Sequence, residues 1–208
     1  MKKIIALVVT LALVGAFALN ATMAYLTGET KPVENVLVIG DITVSLKEDK
    51  WTAQGESFQG KIIPGVSMEK DPIVKVEKGS ETCYLYMYLE NTLAVRTDGS
   101  WDYVTPNINQ SENQMANKWV LVDSNFDPQS GAKKEVYRYQ DVVDAKAADV
   151  ELPFFSMVTV PGDSFTKESM QELSKKEQSM TVQAFAYQSQ IVKLEDADQA
   201  AKDKFLSN

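Results

Sequence analysis

The segment Cys83-Tyr84-Leu85-Tyr86-Met87-Tyr88-Leu89 constrains the fold more than any other part of the chain. Read at the two-residue period of a strand, Cys83, Leu85, Met87 and Leu89 take one face and Tyr84, Tyr86 and Tyr88 the other. Neither face suits water. A strand from Thr82 to Glu90 therefore needs a layer on each side and is expected in the middle of a sheet. Cys83 shares its face with apolar side chains and reads as a core thiol rather than a reactive one. It is the only cysteine, so no intramolecular disulfide can form and the fold must rest on its hydrophobic core. The three tyrosines read as packing side chains, under a loop or against the partner sheet, in preference to a platform for stacking sugars.

Elsewhere, short runs of β-branched and aromatic residues alternate with Gly, Pro, Asn and Asp clusters, the punctuation of strands and turns. Strands are expected over Asn35 to Lys47, with a bulge or kink at Gly40, and from Asp71-Pro72 through Glu77. Others are expected around Trp101 to Val104, Trp119 to Asp123, Glu135 to Val143, Phe154 to Val160 and Ser179 to Val192. Pro64-Gly65 supplies the fixed and the positive φ of a tight turn. Asp98-Gly99 and the polar stretch Asn107 to Asn117 read as loops, and Ser124 to Lys134 as the loop of a hairpin. Ser164 to Lys176 suits a short helix with Met170 and Leu173 on one side. A second helix is expected from Asp196, as its cap, to Leu206, with Ala197, Ala201 and Phe205 at helical spacing. The sum is an all-β fold, a two-sheet antiparallel jelly-roll-like sandwich with one or two short helices.

Met1, Lys2 and Lys3 precede an apolar run from Ile4 to Leu19, shorter than the ~20 residues of a membrane span. Ala21-Thr22-Met23-Ala24 then offers small residues to a signal peptidase. Residues 1–24 are expected to be a signal peptide cut between Ala24 and Tyr25, the alternative being an uncleaved anchor. Residues 25–208 are then one secreted domain without stable membrane insertion. Net charge is -8 before Lys2 and Lys3 leave, an acidity that disfavours nucleic acid as a partner. Tyr25 to Glu34 carries Pro32, which discourages helix, and reads either as a flexible leader or as a donor segment that completes a neighbouring subunit. Its candidate assembly residues are Tyr25, Leu26, Thr27, Pro32 and Val33.

The chain contains no histidine, which removes the usual base and metal ligand of hydrolytic sites. The remaining oxygen ligands suit Ca²⁺ or Mg²⁺. Asp123-Ser124-Asn125-Phe126-Asp127 mimics the start of a calcium loop, but Pro128 stands where a glycine is needed and Lys134 where a bidentate Glu belongs. It reads as a plain hairpin loop. No catalytic, cofactor-binding or metal-ligating residue is expected, and no enzyme activity.

Four stretches resemble the camelysin/TasA family. They are Ala21 to Thr27 at the cleavage region; Asn35 to Leu46 with its central glycine; Ile63-Pro64-Gly65 with Lys70 to Val76, Gly79-Ser80 and the tyrosine-rich strand; and Leu152 to Pro161 together with Ala184 to Gln188. The resemblance implies a jelly-roll sandwich, release by a specialised signal peptidase, and a role in the biofilm matrix, cell surface or spore surface. It also implies self-association into fibres or association with other matrix proteins. Members of the family have been labelled metalloendopeptidases, which makes a secreted peptidase the alternative reading; a surface adhesin using the Asn91 to Asn117 loops is another.

Overall fold

In the computed structural model the described residues are 42–49, 62–110, 118–175 and 178–207, all within a unit spanning residues 34–208. Its strands are β1 (Val44–Lys47), β2 (Ser67–Glu69), β3 (Ile73–Val76), β4 (Cys83–Asn91), β5 (Ala94–Thr97) and β6 (Ser100–Tyr103). Then follow β7 (Thr105–Pro106), β8 (Trp119–Phe126), β9 (Lys133–Tyr139), β10 (Val150–Pro153), β11 (Met157–Thr159) and β12 (Met180–Gln188). Among the described residues the complete helices are α1 (Lys167–Leu173) and α2 (Leu194–Leu206).

The doubly apolar strand is interior, as its pattern requires. Sheet order is β12-β4-β9-β8, all antiparallel. Cys83, Leu85, Met87 and Leu89 are buried in the main core. Facing them is a bent second sheet. β3 pairs β10 with Val76 opposite Val150, and β2 pairs β11 with Ser67 opposite Thr159. The register does not shift between the two, because Phe154 N–H donates to Pro72 O and Lys70 N–H to Ser156 O across the gap. β2 and β3 therefore make one bent strand against β10 and β11, flanked by β1 and β7. Val44, Met68, Val74, Val76, Leu152 and Val158 project from it into the same core as β4. The molecule is an all-β sandwich.

The opposite face of β4 is covered by α2. Tyr86 and Tyr88 pack with Phe185, Val136, Ala197, Ala201 and Phe205 in a second cluster. Tyr88 stacks on Phe205 at 4.8 Å, and the two alanines keep the helix backbone close to the sheet. Tyr86 Oη donates to Asp198 Oδ1 at 2.7 Å, and Arg138 Nε lies 3.0 Å from the same oxygen. One carboxylate on the helix thus accepts from the Tyr86 hydroxyl and offsets the charge of Arg138.

Several boundaries differ from the sequence expectation. Of the stretch Phe154 to Val160 only β11 is strand, because Phe154-Phe155-Ser156 forms the bend of the second sheet, and β10 precedes it. Val143 lies beyond the end of β9 and bridges Cys83 instead. β12 stops at Gln188. α2 begins at Leu194 with Lys193 as N-cap, so Asp196 sits in the first turn, where its charge favours the helix dipole, and is not the cap. Asp98 and Gly99 have φ of 50° and 88°, the paired positive values of a two-residue hairpin turn, so the expected loop joins β5 to β6. Pro64-Gly65 turns as expected, with Gly65 at φ 75°. The expected strand beginning at Asn35, with its kink at Gly40, lies outside the described residues before Ile42.

The β8–β9 loop closes on Gly131, whose φ is 78° and whose N–H donates to Asp127 O. Trp101 of β6 rests directly on this glycine, and Tyr103 Oη donates to its carbonyl at 3.0 Å. A Cβ here would collide with the indole and hold a conformation that L residues avoid. Gly131→Ala is therefore expected to cost about 1–3 kcal/mol. Urea unfolding measures it; an unchanged midpoint would mean that the β5–β6 hairpin is not seated on this turn.

Candidate assembly edge

β8 ends its sheet, and its outer side carries the feature most suited to recognition. Alternation along the β8–β9 ladder decides which backbone groups point outward. Gln140 N–H donates to Lys118 O at one end and Asp127 N–H to Ala132 O at the other. Between them the register shifts once, at a bulge between Leu121 and Asp123. Counting inward from both ends, the groups turned away from β9 belong to Trp119, Leu121, Ser124 and Phe126.

Two of these four positions are capped by side chains. Asn109, at φ 61°, presents its amide to Trp119 as a neighbouring peptide would: Oδ1 accepts from Trp119 N–H at 2.9 Å and Nδ2 donates to Trp119 O at 2.5 Å. Asp123 Oδ1 accepts from Ser124 N–H at 2.8 Å. Among the described residues no strand pairs with the outer side of Leu121 or Phe126, and these two side chains are 49% and 46% exposed. Val120, at 40%, adds a third large exposed apolar side chain. An edge with blocked and open positions side by side is guarded against casual pairing but still offers main-chain bonds and apolar contacts to an extended segment of matching register.

The calcium-like stretch is the end of β8 up to Phe126, and only Asp127 enters the turn. Asp127 Oδ1 accepts from Gln129 N–H at 2.8 Å and Oδ2 from the Ser130 hydroxyl, and these bonds hold its carboxyl below the usual carboxylate range. Asp123 is occupied with Ser124. Among the described residues no three His, Cys, Asp or Glu side chains gather as a metal site. Cys83 is wholly buried, and burial pushes its thiol up to about 12. The tyrosines expected to pack do so, under a helix. The cleavage residues Ala24 and Tyr25 and the candidate assembly residues Tyr25, Leu26, Thr27, Pro32 and Val33 lie outside the described residues.

Sequence reasoning missed the asparagines. Asn109 caps β8. Asn107 binds the bend of the second sheet, its Oδ1 accepting from Ser156 and Met157 N–H. Asn91, also buried, accepts from Leu93 N–H and donates to Val104 O. Removing one cap has a defined cost. Asn109→Gly keeps the positive φ without strain but deletes the amide, and should lower stability by about 0.5–1.5 kcal/mol, read as a shift in urea midpoint. Compared with known proteins, the chain matches no protein-family model and has no significant match among curated proteins.

Proposed function

We propose that the chain is a secreted structural protein of the bacterial biofilm matrix, cell surface or spore surface, and that its subunits join into fibres by strand exchange. The half-capped outer edge of β8 carries this reading. Leu121 and Phe126 offer outward main-chain groups beside exposed apolar side chains. Tyr25 to Glu34 is the proposed donor: at ~3.3 Å per residue it is long enough to run the length of Trp119–Phe126. No catalytic role is assigned.

Electron microscopy of protein beginning at Tyr25, compared with protein lacking Tyr25 to Glu34, tests the proposal. Fibres are expected only from the longer form; equal polymerisation by both would end the donor role. Asn109→Gly should speed assembly of the longer form, and that acceleration should vanish in the shorter one. Chelator-sensitive casein cleavage that tracks the purified chain would instead favour the peptidase reading.

A further inference from the structure

The outer edge of β8 is complementary to a second copy of itself. Its outward main-chain groups fall at Trp119, Leu121, Ser124 and Phe126, the longer step from Leu121 to Ser124 being the bulge. Asn109 covers both groups of Trp119, and Asp123 covers the N–H of Ser124, which leaves Leu121 and Phe126 open. Two identical strands that continue one sheet edge to edge run antiparallel about a two-fold axis perpendicular to the sheet. An axis through Ser124 sets Leu121 opposite Phe126 of the second copy, and Phe126 opposite its Leu121. Open positions then exchange N–H···O bonds with open positions only. Any other centre sets an open position against a capped one or beyond the end of the strand.

We propose that two copies of the chain pair β8 to β8 about an axis at Ser124 and form a closed dimer. The side chains agree with this pairing. Leu121 and Phe126 share the face of their β9 neighbours Tyr137 and Lys133, so Leu121 of each copy lies beside Phe126 of the other. On the opposite face Asn125 of the second copy meets Asp123, an amide donor before a carboxylate, and no like charges stand directly opposed. One step further, capped Trp119 falls opposite Pro128, which has no N–H to give, and the ladder ends there. Main-chain bonds at Leu121 and Phe126 alone make a small interface, below the ~1,200 Å² of stable complexes, so the dimer is weak and reversible. An edge holds one strand at a time. The dimer therefore withholds β8 from a donor and restrains fibre growth, a consequence that rests on β8 being the fibre acceptor; the pairing itself does not.

The test is Ser124→Cys in protein beginning at Tyr25, because exposed Ser124 is the residue that meets itself on the axis and the native Cys83 is buried. With copper phenanthroline it should give a disulfide-linked dimer about ten-fold faster than Ser100→Cys, an exposed position on β6. Adding Leu121→Lys, also at an exposed position, should slow that linkage about ten-fold, whereas adding Asn109→Gly should leave it unchanged, since Trp119 lies outside the ladder. All variants should retain the parent's dispersed amide spectrum. Linkage at position 124 no faster than at position 100, or undiminished by Leu121→Lys in folded protein, would overturn the dimer whether or not fibres form. Fibre growth should be lost in the linked dimer and return on reduction. A linked dimer that grows fibres as fast as the reduced protein would overturn the restraint, and with it the acceptor role of β8, while leaving the pairing in place.

Discussion

Trp119→Ala should lower the unfolding free energy by about 3–5 kcal/mol, the largest single-residue loss expected in this protein. The side chain is 2% exposed although its strand is otherwise mostly open to solvent. Its ring meets Tyr139 at 5.3 Å and Phe154 at 5.1 Å, both edge-on, and its Nε1–H donates to Pro153 O at 3.0 Å. That bond runs from the last strand of one sheet to the bend of the other. Truncation removes the aromatic contacts, leaves a cavity that the two backbones cannot close, and strands the Pro153 carbonyl. Trp119→Phe should retain part of the packing and lose the bond, with a smaller cost. Urea unfolding of both variants gives the comparison. A loss under 1 kcal/mol for alanine would mean that the sandwich is not pinned at this corner.

Phe205→Ala should cost about 3 kcal/mol and expose the tyrosine face. Phe205 is 7% exposed, lies parallel to Tyr88 and meets Phe185 edge-on at 6.2 Å. Without it, α2 keeps the Asp198 contacts to Tyr86 and Arg138 but loses the largest side chain it places on the sheet. The expected signs are an earlier urea midpoint and increased binding of an apolar dye. An unchanged midpoint together with unchanged dye binding would show that the helix is not what keeps this face dry.

The core was legible because period-two patterning reports burial directly. Val74 and Val76 are fully buried while Lys75 between them is not, and both faces of β4 are covered as their composition requires. The Ala197, Ala201 and Phe205 spacing likewise identified the buried stripe of α2. The tyrosines were expected under a loop or the partner sheet, and a helix covers them instead, because a strand pattern states that a face is dry and not which distant element dries it. The edge of β8 was not legible either. Its capping depends on Asn109, ten residues away along the chain, and a side-chain amide substituting for a peptide has the same composition as an unstructured polar loop. The β5–β6 hairpin was half read: Asp98-Gly99 marked the loop and Trp101 to Val104 the strand that is β6, but the four residues of β5 offer too few alternations to announce themselves.

The order in which β4 finds its neighbours bears on how the protein is made. Both partners follow it in the chain, and the farther one joins Cys83 to Gln188 and Asn91 to Met180. Until Met180–Gln188 has been synthesised, one side of the central strand has no hydrogen-bonding mate, and α2, which shields the tyrosines, comes later still. Pairing this distant cannot close the sandwich until nearly the whole chain exists. A polypeptide that stays open while it is being made is one that can be threaded through a narrow channel and close only on the far side.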